Sequence, residues 1–318
     1  MSKKTILLTG GFGFIFSNFI RSFIYNKYDY NLVIIDKLMY QYGYNNIYIS
    51  GKYKYHIGDI SNPEFVESIF KLEKPDIVIN GAACSFVDDA IKDPTPFINS
   101  NVLGTQILLN ACRKFGIEKF IAIGTDEEYG HLLDSSSEFT EESNLNPRNP
   151  YSASKTDASH LIMATNQTYD IPYNIIRPCN AMGPRQHVRN FIPKAINCIL
   201  NDQKFPMYKP GSQSREWIFV EDLNQAIMTV LEKGKQNEVY NVSTGYELSN
   251  IEKLKKICNV LEKGHLLLEF VEDRPGHDKR YASSSKKLRD LGWAPKFKFN
   301  ESLELAVNWF QQNKWWFK

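Results

Sequence analysis

The sequence predicts an α/β protein, a doubly wound parallel sheet carrying a smaller, less regular C-terminal lobe. Three observations lead there. Short apolar runs alternate with helix-length segments as far as Arg177, and strands separated by helices read as repeated βαβ units whose parallel sheet is covered on both faces. A glycine cluster, Gly10-Gly11-Phe12-Gly13, closes the first apolar run. Beyond Arg177 the alternation loosens, and Pro178, Gly183, Pro184, Pro206, Pro210 and Gly211 punctuate the chain. Loops are therefore expected to dominate up to Arg215.

In chain order, strands are expected at 5–9, 32–36, 53–57, 76–82, 119–124 and 173–177, with helices at 14–26, 63–71, 97–115 and 151–169 between them. Right-handed crossovers wind such a sheet about its first strand. Helical patterns return at 221–233, 250–261, 284–291 and 301–313, and a short strand at 239–242 is placed to rejoin the main sheet. The expected organisation is a nucleotide-binding domain over 1–177 with a later return around 216–245, and a substrate lobe over 178–318. The closing Trp309, Trp315, Trp316 and Phe317 read as packing.

The 318 residues suffice for a large core, and 42% hydrophobic with 23% charged content is that of a globular chain. A formal net charge of +2 supplies no global field toward nucleic acid or an acidic membrane. The five cysteines show neither a CxxC pair nor metal-ligand spacing, which fits a reducing compartment. Met1-Ser-Lys-Lys leads into an apolar run too short for a signal peptide, and no run of about 18 apolar residues occurs, so a cytoplasmic location is expected.

The glycine cluster follows a strand and opens a helix, the context in which it binds a dinucleotide. Gly10 allows a tight turn, and Gly13 lets backbone approach a pyrophosphate at the helix N-terminus. Asp36 ends the second strand near the roughly 20-residue spacing of an acid that bonds the adenosine ribose. A carboxylate there repels a 2′-phosphate and favours NAD, a preference that the adjacent Lys37 weakens. Asp59, after the third strand, is a candidate for the adenine edge. Where the fingerprint has its third glycine this chain has Phe16. The ring requires a shifted helix or small neighbours and is expected to loosen the hold on NAD.

Tyr151 and Lys155 stand at i and i+4 on one expected helix face. Unit charges about 4 Å apart interact by roughly 4 kcal/mol at an effective dielectric of about 20. A lysine and a cationic nicotinamide would thus draw the Tyr151 phenol toward neutrality, where it takes a proton from a hydroxyl. An ordinary amphipathic helix accounts for the same spacing. Thr125-Asp126-Glu127-Glu128 follows the fifth strand, at the carboxyl end where open α/β sheets hold ligands. The run is either a solvated loop or a pair of carboxyls that divide acid and base roles.

Together these segments carry a resemblance. TGGFGFI, GDI, NGAACSFVD, NVLGT, GTDEEYG, YSASK, RPCNAMGPRQ, REWIFVEDL, YNVSTG and DRPGHDKRYA occur in the order found in extended short-chain dehydrogenases/reductases, and the chain resembles most the dTDP-glucose 4,6-dehydratases. The Thr-Asp-Glu run discriminates, since the 4-epimerases carry small residues there and the decarboxylases Ser-Glu. The resemblance implies a Rossmann-type fold. It also implies NAD held by Gly10, Phe12, Gly13, Phe14, Ile15, Asp36 and Lys37, then Asp59, Ile60, Ala82, Ala83, Ser85 and Asn101, with Tyr151 and Lys155. Tyr151, assisted by Thr125 and Lys155, takes the C4 hydroxyl proton. Glu127 takes the C5 proton, and protonated Asp126 donates to the departing C6 hydroxyl.

Ser85, Asn180, Arg189, Asn190, Arg215 and Arg274 are implied around the nucleotide sugar, the two last arginines on the diphosphate, with pairing to Glu216 or Asp273 as their alternative. No metal is implied, and a homodimer built on helices including that of Tyr151 is. The chain departs from the family where SHVD is Ser85-Phe86-Val87-Asp88, NNYGP is Asn180-Ala181-Met182-Gly183-Pro184, and EKLIP is Arg189-Asn190-Phe191-Ile192-Pro193. UDP-glucose and UDP-N-acetylglucosamine therefore compete with dTDP-glucose as substrate. A 4-epimerase or decarboxylase of the same fold, or a non-catalytic NAD- or nucleotide-sugar-binding protein, are the alternatives.

Overall fold

Seven strands of the computed structural model form one parallel sheet: β1 Thr5–Thr9, β2 Asn31–Asp36, β3 Lys54–Ile57, β4 Ile77–Asn80, β5 Lys119–Ile123, β6 Tyr173–Pro178 and, much later, Glu238–Val242. The structure describes residues 3–134, 136–263 and 267–318; Met1 and Ser2, where the leader reading began, lie outside them. Three short strands intervene, β7 Asn180–Met182, β8 Phe205–Tyr208 and β9 Ser214–Phe219, which makes Glu238–Val242 β10. β11 Glu247–Ser249 and β12 Leu268–Val271 follow. The order across the main sheet is β10-β6-β5-β4-β1-β2-β3, all pairs parallel. This is the doubly wound arrangement, with its switch point between β1 and β4.

The continuous apolar runs are explained by burial of both sheet faces. Ile6, Leu8, Ile34, Ile79 and Ile121 point into one core, and their neighbours Leu7, Val33, Ile35, Val78 and Phe120 into the other. Each such side chain contributes about 1.5–3 kcal/mol by leaving water. Helix Phe14–Tyr25 closes the first core, with helix Val220–Lys233 packed beside it. Helices Pro63–Glu73, Gly104–Phe115 and Pro150–Tyr169 close the second. Two of these start on an asparagine cap followed by proline: Asn62 accepts from the Phe65 amide and Asn149 from the Ser152 amide.

The 178–215 stretch corrects the expectation of loops. It contains β7, helix Phe191–Leu200, β8 and the start of β9. Pro193 does not break the helix because it stands in the first turn, where no intrahelical N–H is needed. β9 pairs with β7 and β11 in a small sheet, and β8 pairs with β12. A third core, with Met182, Ile192, Trp217, Leu254, Phe310 and Trp316, consolidates the lobe. Of the segment 216–245, helix Val220–Lys233 and β10 return to the main sheet, whereas β9 stays with the lobe. Among the described residues no helix is long and apolar enough to cross a membrane, and all five cysteines are free and buried.

Candidate active site

A cavity of about 370 Å³ opens above the carboxyl ends of β1, β2, β4 and β5. Its floor is the glycine turn. Gly10 has φ +71°, and a Cβ there would stand 2.8 Å from the Ala82 backbone, so only glycine lets the β1 and β4 loops meet. Gly13, exposed at the N-terminus of helix Phe14–Tyr25, leaves its amide end open to an anion. Asp36 accepts from the Phe12 amide at 2.9 Å and the Leu38 amide at 2.7 Å, leaving lone pairs for ribose hydroxyls. Phe12, Phe14, Ile15, Ile60, Ala82, Ala83 and Ser85 line the same cavity. Lys37 pairs with Asp59 at 3.2 Å, so its charge is partly spent. These residues fit NAD.

The small-neighbour alternative for Phe16 is met, and Asn101 stands elsewhere than implied. Phe16 is accommodated by a small neighbour: a Cβ on Gly81 would lie 2.0 Å from the Phe16 ring, so the missing glycine of the helix is supplied across the crossing by the β4 loop. Asn101 is not on the cavity wall. It is buried, accepts from the Cys84 amide at 2.8 Å and donates to the Cys84 carbonyl and Ser154 Oγ. It fixes the β4 loop to the Tyr151 helix from behind.

The acidic run folds as one 3-10 turn, Asp126–Tyr129, capped by Thr125, whose hydroxyl accepts from the Glu127 amide. It is not a solvated loop. Thr125, Asp126 and Glu128 are buried. Asp126 Oδ2 has no hydrogen-bond partner among the described residues, and burial, then the charges of Glu127 and Glu216, push its pKa well above the usual carboxylate range. Burial also raises Glu127, but the Arg274 and Arg215 charges and a 3.4 Å bond from Asn149 Nδ2 oppose it. The two carboxyls thus sit in unequal surroundings, Asp126 favouring its proton and Glu127 closer to ionisation.

Helix Pro150–Tyr169 brings Tyr151 and Lys155 to the same cavity. The Tyr151 ring packs on Phe97, and its phenol lies beside the Thr125 side chain. The protein's own groups act in the opposite sense to the depression expected of lysine and a cationic nicotinamide together. Burial, then the Glu127 charge, raises the phenol's pKa, while Lys155 donates to the Ile123 carbonyl at 2.6 Å and is itself lowered by burial.

On the substrate side, Asn180 and Asn190 reach the cavity. Three arginines do not line it. Arg189 makes a bidentate pair with Asp89 at 2.8 and 2.6 Å and covers the Phe86 ring. Arg215 is buried over Tyr281 and donates to the carbonyls of Ser214, Asp278 and Lys279 rather than to Glu216. Arg274 pairs with Asp88 at 2.9 Å rather than with Asp273. Sequence reasoning missed Asn149, which touches Glu127, and Tyr40 and His187, which form an edge-to-face cluster with Phe86 on the cavity wall. The Asn-Pro cap before Tyr151 was the available signal for the first. Nothing local marked the other two.

The family model described as the NAD-dependent epimerase/dehydratase family matches residues 6–243. The chain is 42% identical to the low-salt glycan biosynthesis protein Agl12 of Haloferax volcanii, over 96% of this chain and 98% of that protein. It is 37% identical to the dTDP-glucose 4,6-dehydratase of Haemophilus influenzae, over 97% and 98%. Among solved structures, the dTDP-glucose 4,6-dehydratase DesIV of Streptomyces venezuelae, with NAD bound, matches with a TM-score of 0.93 at 32% identity over 98% of each chain. The UDP-glucose 4-epimerase of Thermus thermophilus, also with NAD, matches at 0.90 and 26% identity, over 97% of this chain and 99% of that one. The glycine turn, the Tyr151–Lys155 helix and these near full-length matches agree: the protein belongs to the NAD-dependent epimerase/dehydratase family.

Proposed function

We propose that the protein is a nucleotide-sugar 4,6-dehydratase, converting dTDP-glucose, UDP-glucose or UDP-N-acetylglucosamine to the 4-keto-6-deoxy sugar nucleotide. One observation carries this reading: two carboxyls in unequal environments, the buried Asp126 and the half-buried Glu127, share a cavity with Tyr151. A 4-epimerase has no use for such a pair, because it neither opens C5 nor expels the C6 oxygen.

Gly13, Asp36 and Lys155 would hold NAD, which when bound would accept hydride from C4, give it back to C6 after water has left, and carry a positive charge that favours the Tyr151 phenolate. Tyr151 Oη, beside the Thr125 side chain, takes the C4 hydroxyl proton. The resulting ketone acidifies C5, and Glu127, the carboxyl nearer ionisation, removes that proton. Asp126, kept protonated by burial and by its neighbours' charges, donates to the C6 hydroxyl so that water leaves; C6 then receives the hydride and C5 is reprotonated, which gives the 4-keto-6-deoxy sugar. Asn180 and Asn190 orient the sugar nucleotide in the cavity. Arg215 and Arg274, beside Glu127, bias the local field toward the phosphates and temper the pair of acids.

Incubation with dTDP- and UDP-hexoses, read by mass spectrometry for loss of one water, tests the assignment. Asp126→Asn is expected to slow water loss by about 10²–10⁴-fold while 4-keto sugar still forms slowly. Dehydration at the unaltered rate by this variant would end the reading.

A further inference from the structure

Glu128 follows the proposed acid and base directly, and neither of their roles uses it. It is fully buried. Its Oε1 accepts from the Thr125 amide at 3.0 Å, and its Oε2 accepts from Ser159 Oγ and Arg177 Nε, both at 2.8 Å. Arg177, equally buried, donates onward to Tyr129 Oη at 2.9 Å, and that hydroxyl donates to Asn241 Oδ1 at 2.8 Å. One carboxylate thereby ties the acid turn to the Tyr151 helix, to β6 and, through Tyr129, to β10. The preceding glycine makes room for it: a Cβ at Gly124 would stand 2.5 Å from Glu128 Oε1.

Stability alone does not explain this arrangement. A buried ion pair loses to desolvation much of what it gains, and well-packed apolar residues often replace it without cost. What an apolar residue cannot do is accept the Thr125 amide. That amide belongs to the residue whose hydroxyl accepts from the Glu127 amide at 3.3 Å and lies beside the Tyr151 phenol.

We propose that Glu128, anchored by Arg177, is the positioning residue of the acid–base turn: it fixes Thr125 and, through Thr125, the approach of Asp126, Glu127 and Tyr151 to one reacting centre. What the turn does rests on the dehydratase reading; that it is fixed from Glu128 does not. Its charge also lies close enough to Lys155 to oppose the effect of burial on that amine.

The test pairs Glu128→Val with Arg177→Met, an apolar replacement of both partners, and sets beside it the single Glu128→Gln. Glutamine offers one carbonyl oxygen where the carboxylate served both Thr125 and Arg177. In the NAD-loaded protein, amide hydrogen exchange at Thr125 and Glu127 is expected to quicken by roughly tenfold in both variants, with the sheet amides unchanged. The turnover number kcat should fall by about 100-fold, with KM for the nucleotide sugar and Kd for NAD held within about twofold. Unaltered exchange at Thr125, or unaltered kcat in a folded double variant, overturns the proposal. If the double variant does not fold, exchange in Glu128→Gln decides it. The exchange measurement needs no substrate, so a wild-type protein inert toward every nucleotide hexose would sink the dehydratase reading and leave the positioning result to stand or fall separately.

Discussion

Glu216 is a buried carboxyl that accepts from Ser243 Oγ and from the Ser283 amide, and burial lifts its pKa from an ordinary 4.5 to about 7 despite both bonds. Because the folded-state value lies above the unfolded one, its favourable contribution is complete below about pH 4.5 and is lost as pH rises through about 7. The shift amounts to roughly 3 kcal/mol once the group is ionised. Glu216→Gln removes that titration. Denaturant unfolding of both proteins from about pH 5 to about pH 8 should show the variant gaining on the wild type as pH rises; a difference independent of pH would refute the assignment. The same charge helps keep Asp126 protonated, so the residue bears on the site it does not line.

For elements, existence was easier to read than seating. Helix Phe14–Tyr25 was legible from its apolar period, and the phenylalanine in place of the fingerprint glycine was visible, but not that Gly81 lies under it. The two residues share one volume, with Phe16 buried in the core. Phe16→Ala should cost about 3–5 kcal/mol. Gly81→Ala, which drives a methyl into the ring, should cost about 1–3 kcal/mol. The double substitution should cost less than their sum, since the alanine methyl then fills part of the hole. Thermal and denaturant unfolding of the three proteins checks this, and strict additivity would show that the two do not meet. The turn Asp126–Tyr129 was legible as a motif and not as a structure, because its anchor Arg177 stands far along the chain and local spacing carries no trace of the pair. Helix Phe191–Leu200 was obscured by proline in its first turn, and the strands of the lobe are three to six residues long, too short to show a period.

At the scale of the whole molecule, the parallel sheet and its switch point were legible because repeated βαβ units dictate them, and the candidate site motifs because they sit where that topology places ligands. The boundary expected after Arg177 came with a later return of the chain, and the sheet depends on that return. β6 is buried along its whole length, and β10 is the neighbour that completes its edge. Helix Val220–Lys233 contributes Leu223, Ala226, Ile227 and Val230 to the first core. A fragment ending at Arg177 should therefore expose a long apolar strand edge and aggregate on expression, whereas the full chain stays in solution. Size-exclusion chromatography of both distinguishes the outcomes, and a monomeric, cooperatively folding fragment would contradict the argument.

The late arrival of β10 has a consequence for anyone who would recombine these proteins. The sheet cannot be finished until the polypeptide has travelled out through β7, β8 and β9 and come back, so the smaller lobe is spliced into the scaffold rather than appended to it. A chimera that swaps everything after one cut inherits a foreign closing strand. One that swaps two insertions, on either side of helix Val220–Lys233 and β10, keeps its own.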